Sequence, residues 1–163
     1  MLSTLVATLA ILATQAQTPP AREFKPLDAN AAVFWSRQTT ESAELLRRLA
    51  EQFNAQHDGP DIKVVHGGGY TDIYRKTSAS IQAGVLPALS VAYESMTTEY
   101  VTAGAVRSLE PFLNHPEYGL SEAGLADFFP AVLETNRYPQ FGNAMYSFPF
   151  AKSVLVLYFN REV

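Results

Sequence analysis

The stretch AAVFWSRQTTESAELLRRLAEQF, residues 31–53, decides the fold, because two different hydrophobic periods meet inside it. Ala31, Ala32, Val33, Phe34 and Trp35 form a short unbroken apolar run bounded by polar residues, the pattern of a strand covered on both faces. Thr39 or Thr40 can then cap a helix, with Glu41 and Glu44 near the positive end of its dipole. Leu45, Leu46, Leu49, Ala50 and Phe53 recur at helical spacing, and Arg47, Arg48, Glu51 and Gln52 fill the opposite face.

Downstream, His57-Asp58-Gly59-Pro60 stops the helix, and Ile62 to Val65 predicts a second strand running into Gly67-Gly68-Gly69. Ile73, Thr77 and Ile81 share the inner face of a second helix, Gly84 suits its left-handed cap, and Pro87 prevents continuation. The run Leu86 to Tyr93 predicts a third strand through Leu89, Val91 and Tyr93. Strand, helix, strand, helix, strand at these spacings predicts parallel βαβ units. Beyond it, a short helix over 97–103 ends at Gly104, and Leu109 to Leu113 begins an irregular segment. After a loop over 114–119, the stretch Leu125 to Glu134 predicts a helix. Gly142-Asn143 suits a tight turn between Tyr138 and Tyr146, and Ser153 to Phe159 predicts a last strand. Because Val163 follows so closely on that apolar strand, the chain is expected to be the amino-terminal part of a larger protein.

Upstream, Leu2 to Ala13 is an uncharged apolar run, too short to span a bilayer as a helix and suited to the h-region of a signal peptide. Thr14 and Ala16 fit the small positions of a cleavage site, giving a signal peptide over 1–16, although no Lys or Arg precedes the apolar run. A buried amino-terminal helix is the alternative. Residues 17–30 hold three of the ten prolines and no hydrophobic period, and are expected as a leader before an α/β lobe over 31–163.

Of the 163 residues, 47% are hydrophobic and 17% charged, a globular composition that excludes a disordered chain. A net charge of −4 with scattered Lys and Arg gives no basic stripe for nucleic acid. Without cysteine there is no disulfide, thiolate nucleophile or Cys-based metal site. His57, His66 and His115 are separated and form no metal-binding pair, so neither a metal nor another cofactor is expected. No Gly-x-Ser-x-Gly elbow or glycine-rich loop with a phosphate-binding Lys occurs, which argues against an enzyme. An exported glycoside hydrolase using Glu94 with a second carboxylate such as Asp72 is the enzymatic rival, and an exported structural domain without a ligand is the third possibility.

Several short pieces recur in a telling order: Val33-Phe34-Trp35, Leu49-Ala50-Glu51-Gln52-Phe53-Asn54, Ala83-Gly84 before Pro87, and Ala103-Gly104-Ala105-Val106 before Leu109-Glu110-Pro111-Phe112. Ser147-Phe148-Pro149-Phe150 before Leu157-Tyr158-Phe159-Asn160 completes them. Together they resemble the extracellular solute-binding proteins that serve carbohydrate-type ABC importers. Gly69-Tyr70, Pro87-Ala88, Ala92-Tyr93-Glu94 and Pro149-Phe150 followed by Ser153 are most similar to the subgroup that binds sn-glycerol 3-phosphate. Ala151-Lys152 departs from that subgroup, where small polar residues are usual, as does Trp35-Ser36-Arg37 at the end of the first strand.

The resemblance implies a type II periplasmic-binding-protein-like lobe, an exported or periplasmic monomer, and ABC transporter permease subunits as partners. The implied ligand is sn-glycerol 3-phosphate or a glycerophosphodiester, with a sugar or oligosaccharide as the alternative. It also carries ligand contacts onto Tyr70, Glu94 and Ser153. Each has an ordinary alternative: Tyr70 packing on a helix start, Glu94 as a helix-start charge, Ser153 as a strand-end serine. Trp35 is a candidate for stacking on a sugar face, but a Trp closing the first strand is more often core.

Overall fold

A computed structural model describes Pro20, residues 22–153 and residues 155–161. The apolar run expected as a signal peptide therefore lies outside the described residues. In chain order the elements are β1 (Lys25–Pro26), β2 (Ala31–Ser36), α1 (Thr40–Asn54), β3 (Asp61–His66), α2 (Tyr70–Ala83), β4 (Val85–Leu86) and β5 (Leu89–Ser90). They continue with α3 (Glu94–Thr102), α4 (Glu110–Leu113), α5 (Glu122–Ala126), α6 (Pro130–Glu134), β6 (Arg137–Tyr138) and β7 (Ala144–Met145).

The sheet that positions the site has three parallel strands in the order β3-β2-β5. Strand β2 is central, paired along its whole length with β3 and through Phe34 and Trp35 with β5. The chain leaves β2 toward β3 on one side and then crosses to β5 on the other. That reversal puts the loops after β2, β3 and β5 together at the carboxyl edge of the sheet, where open α/β sheets present ligand sites. Arg37, Tyr70 and Glu94 all follow those three strands.

The buried residues explain the order. Val33 and Trp35 are 5% and 8% exposed, Ile73 on α2 is fully buried, and Thr77 and Ile81 on the same face are buried. Burying an aliphatic side chain of this size contributes about 1.5–3 kcal/mol, which anchors α2 to the sheet. Helix α1 is where the periodicity places it, with Thr39 at its N-cap although the hydroxyl makes no capping bond. Of its apolar stripe only Ala50 is buried, and Leu45, Leu49 and Phe53 stay about half exposed. Asn54 at its end holds β3 through both amide atoms, accepting from Ile62 N–H at 2.8 Å and donating to Ile62 C=O at 3.1 Å.

The predicted third strand, Leu86 to Tyr93, is two short pieces. Pro87 has no N–H to give a ladder and interrupts the run, so Val85–Leu86 pairs with Lys25–Pro26 while Leu89–Ser90 pairs with β2. Residues expected as a leader thus include a parallel contact with the lobe, reinforced by Leu27 N–H donating to Leu86 C=O at 2.8 Å. The helix predicted over 97–103 starts earlier, at Glu94, and ends before Gly104 as expected. Leu109 to Leu113, read as irregular, contains the one-turn helix α4 with Pro111 at its start, where its missing N–H costs nothing. The helix predicted across 125–134 is two, because Pro130 cannot continue α5 and instead opens α6.

A second small core lies under the β6–β7 hairpin. Tyr138, Phe141 and Tyr146 pack with Val101, Tyr146 meeting Tyr138 edge-on at 6.1 Å and Phe141 at 5.8 Å. The expected turn is present, with Gly142 and Asn143 both at left-handed φ values of 72° and 59°. Below it, Arg137 donates to Glu110 Oε1 at 2.7 Å, and the same oxygen accepts Met145 N–H at 3.1 Å. The strand predicted over 153–159 does not form: Ser153 and residues 155–159 are without strand structure, and Leu155, Leu157 and Tyr158 are 89% exposed or more. Apolar patterning selects a strand only where a sheet covers its side chains, and these side chains face solvent.

Candidate ligand-binding site

Tyr70 is the first residue of α2, and Gly67 and Gly68 before it are each needed for a separate reason. A Cβ on Gly67 would stand 2.7 Å from Ile73 Cγ1, so only glycine lets the loop lie on that buried side chain. Gly68 has a φ of 97°, a conformation that favours glycine. Gly69 N–H donates to Asp72 Oδ2 at 3.0 Å, which commits an oxygen of the carboxylate offered to the hydrolase reading to fixing the helix start. Lys76 Nζ ties down the loop from behind by donating to Gly67 C=O at 2.7 Å.

With its loop fixed, Tyr70 lies against Tyr93, ring centroids 3.9 Å apart at 30°, and the Arg37 guanidinium sits 5.0 Å above the Tyr70 ring. Tyr93 is half exposed and serves as the N-cap residue of α3, so Glu94, the next residue, opens that helix. Lys152 Nζ donates to Glu94 Oε1 and also to Thr135 Oγ1, the latter at 3.3 Å. Ring contacts join Arg37, Tyr70 and Tyr93, hydrogen bonds join Glu94, Lys152 and Thr135, and the peptide bond from Tyr93 to Glu94 connects the two groups into one row.

The row is wet. The Glu94 and Lys152 side chains are 45% and 38% exposed. The hydrogen bond from Lys152, helped by backbone N–H at the start of α3, holds the Glu94 carboxyl below its ordinary value near 4.5. It is an ionised acceptor whose lone pairs can take hydroxyl donors.

The structure joins Tyr70 to Tyr93, the residue before Glu94, and places Ser153, exposed, next in sequence to the Lys that holds Glu94. Trp35 is 8% exposed within the central strand. Sequence reasoning did not assign Tyr93, Thr135, Arg37 or Lys152 to the site. The signal for the last two was their departure from the subgroup pattern, and for Tyr93 its position one residue before Glu94.

A separate cleft of about 280 Å³ lies between Glu110, Leu113, Leu125, Leu133, Arg137 and Met145, and none of the row lines it. Among its charged lining residues Arg137 and Glu110 are occupied with each other, and Glu134 is next in sequence to Thr135 of the row. The row, which follows the carboxyl ends of the parallel strands, is the better candidate for ligand. The histidines have local roles: His66 Nδ1 lies 3.2 Å from Gln38 C=O, His57 packs on Phe53, and His115 stacks on Tyr118 at 3.5 Å. Among the described residues no group of His, Asp and Glu is arranged to hold a metal ion, and no helix is long and apolar enough to cross a membrane.

Residues 48–163 match the family of bacterial extracellular solute-binding proteins, and the chain belongs to that family. It is also similar to the sn-glycerol-3-phosphate-binding periplasmic protein UgpB of Pectobacterium atrosepticum, 26% identical over 129 residues that make up 79% of this chain. The matched region is 28% of that relative's length.

Proposed function

We propose that the protein captures a small hydrophilic ligand outside the cytoplasm and delivers it to the permease subunits of an ABC importer, without chemical change to the ligand. Its ligand is sn-glycerol 3-phosphate or a glycerophosphodiester. Membership of the solute-binding family supports the class, and the similarity to a glycerol-phosphate-binding relative supports the ligand.

The single observation that carries the reading is the contact of Tyr70 with Tyr93, the half-exposed residue before Glu94, at the carboxyl edge of a parallel sheet. In this reading Glu94 accepts the ligand's hydroxyls, the Tyr70 ring covers its carbon-bound hydrogens, and Ser153 donates to an anionic oxygen from the far side. Closure of a second wall over the ligand would remove it from water and present the closed form to the permease. An open ring pair also suits a pyranose face, so a neutral oligosaccharide is the second reading.

Titration calorimetry of the full-length protein with sn-glycerol 3-phosphate, glycerophosphocholine, maltose and maltotriose tests both. Saturable binding of the glycerol phosphates is the expected result. Binding of the saccharides alone would replace the first ligand by the second, and hydrolysis of any of them would overturn the transport reading.

A further inference from the structure

Lys152 stands on Glu94, yet an ion pair this exposed does little for the stability of a fold. It draws its ammonium across from a segment without regular structure to the first turn of α3, and Thr135 after α6 steadies it with a second bond. The effect is to cover the one carboxylate in the row that faces solvent beside the aromatic pair. A ligand whose hydroxyls take Glu94 must first displace Lys152.

We propose that Lys152 is a specificity-determining residue: it reserves Glu94 for ligands that carry an anionic group beside their hydroxyls. Such a ligand replaces the Lys152–Glu94 bond by two new ones, its hydroxyls to Glu94 and its anionic oxygen to Lys152. A neutral polyol replaces only the first, and the ammonium keeps Thr135 but loses its carboxylate, so the ion pair works against it. Arg37, held over the Tyr70 ring at the opposite end of the row, offers the anion a second cation without competing for Glu94. The inference rests on the reading that Glu94 accepts ligand hydroxyls, and it adds that selection comes from breaking an existing pair.

The test compares wild-type, Lys152→Met and Lys152→Arg full-length proteins by calorimetry with sn-glycerol 3-phosphate, D-glycerate and glycerol. In Lys152→Met, affinity for the two anions should fall at least tenfold while affinity for glycerol rises, and Lys152→Arg should restore the wild-type order. Loss with the phosphate alone would narrow the anionic group to phosphoryl and still support the inference. An unchanged ratio of anionic to neutral affinity in Lys152→Met would overturn it, leaving the glycerol-phosphate reading intact if wild type still binds that ligand. If Glu94→Gln changes affinity for none of the three, the reading of Glu94 fails and the inference with it.

Discussion

Tyr70 follows β3 and Tyr93 follows β5, and the two meet with ring centroids 3.9 Å apart, tilted by 30°. Neither could be placed against the other by spacing, since 23 positions of strand-bound and helical chain separate them. Their contact exists because β3 and β5 flank β2 on opposite sides and open their following loops to the same edge.

The pair gives a mutational prediction that separates ring from hydroxyl. The Tyr70 phenol can also donate to a ligand oxygen, so Tyr70→Phe should keep the contact with Tyr93 and lose about 0.5–1.5 kcal/mol of ligand affinity, the net worth of one hydrogen bond. Tyr70→Ala should lose more, because the aromatic pairing goes as well. Calorimetry on the two variants checks the order, and equal affinities in wild type and Tyr70→Ala would leave Tyr70 a packing residue.

Glu94 gives a pH prediction. Its folded-state carboxyl is held below the ordinary value near 4.5 by the Lys152 hydrogen bond, so below about pH 4.5 the unfolded chain takes up the proton first. The stabilising contribution of the pair is therefore present above that pH and lost as pH falls through the lower folded value. Melting temperatures of wild type and Glu94→Gln should differ slightly at neutral pH and converge on acidification. A gap that widens toward acid would contradict the assignment. At neutral pH, Glu94→Gln should also weaken hydroxyl binding by about 1.5–3 kcal/mol for each charge-assisted bond lost.

Two glycines should fail for different reasons when replaced by alanine. At Gly67 the new methyl would meet Ile73, which is fully buried, so overpacking should cost about 1–3 kcal/mol and disturb the Tyr70 loop. At Gly84 nothing lies within 4 Å of the added atom, but φ is 73°, so the cost is about 1–2 kcal/mol of backbone strain alone. Denaturant unfolding should show both losses, and ligand affinity should fall only for Gly67→Ala. Asn at position 84, which tolerates the left-handed conformation, should recover part of the stability, and failure to do so would contradict the strain account.

Much of the lobe was legible because its signals are local. The apolar run at Val33 to Trp35, the stripe on α1, and Ile73, Thr77 and Ile81 on α2 each declare their element within one or two turns of chain. The errors came where one residue overrules a pattern: Pro87 divides the third strand and Pro130 divides the helix over 125–134. Apolar composition also misled at 155–159, because a strand needs a covering surface that sequence does not display. For the site, Tyr70 and Glu94 could be singled out by position at strand ends and by resemblance. Lys152 on Glu94 joins residues 58 positions apart, and Arg37 over Tyr70 depends on the strand order. Neither contact has a local signature.

The central claim is that ligand binds along the row from Arg37 to Thr135. Nuclear magnetic resonance of isotope-labelled full-length protein during titration with sn-glycerol 3-phosphate tests it most directly. Saturable shifts should concentrate at Arg37, Tyr70, Tyr93, Glu94, Lys152 and Ser153, with little change around Glu110 and Arg137. Shifts confined to the Glu110–Arg137 cleft, with Tyr70 and Glu94 unmoved at saturation, would contradict the account.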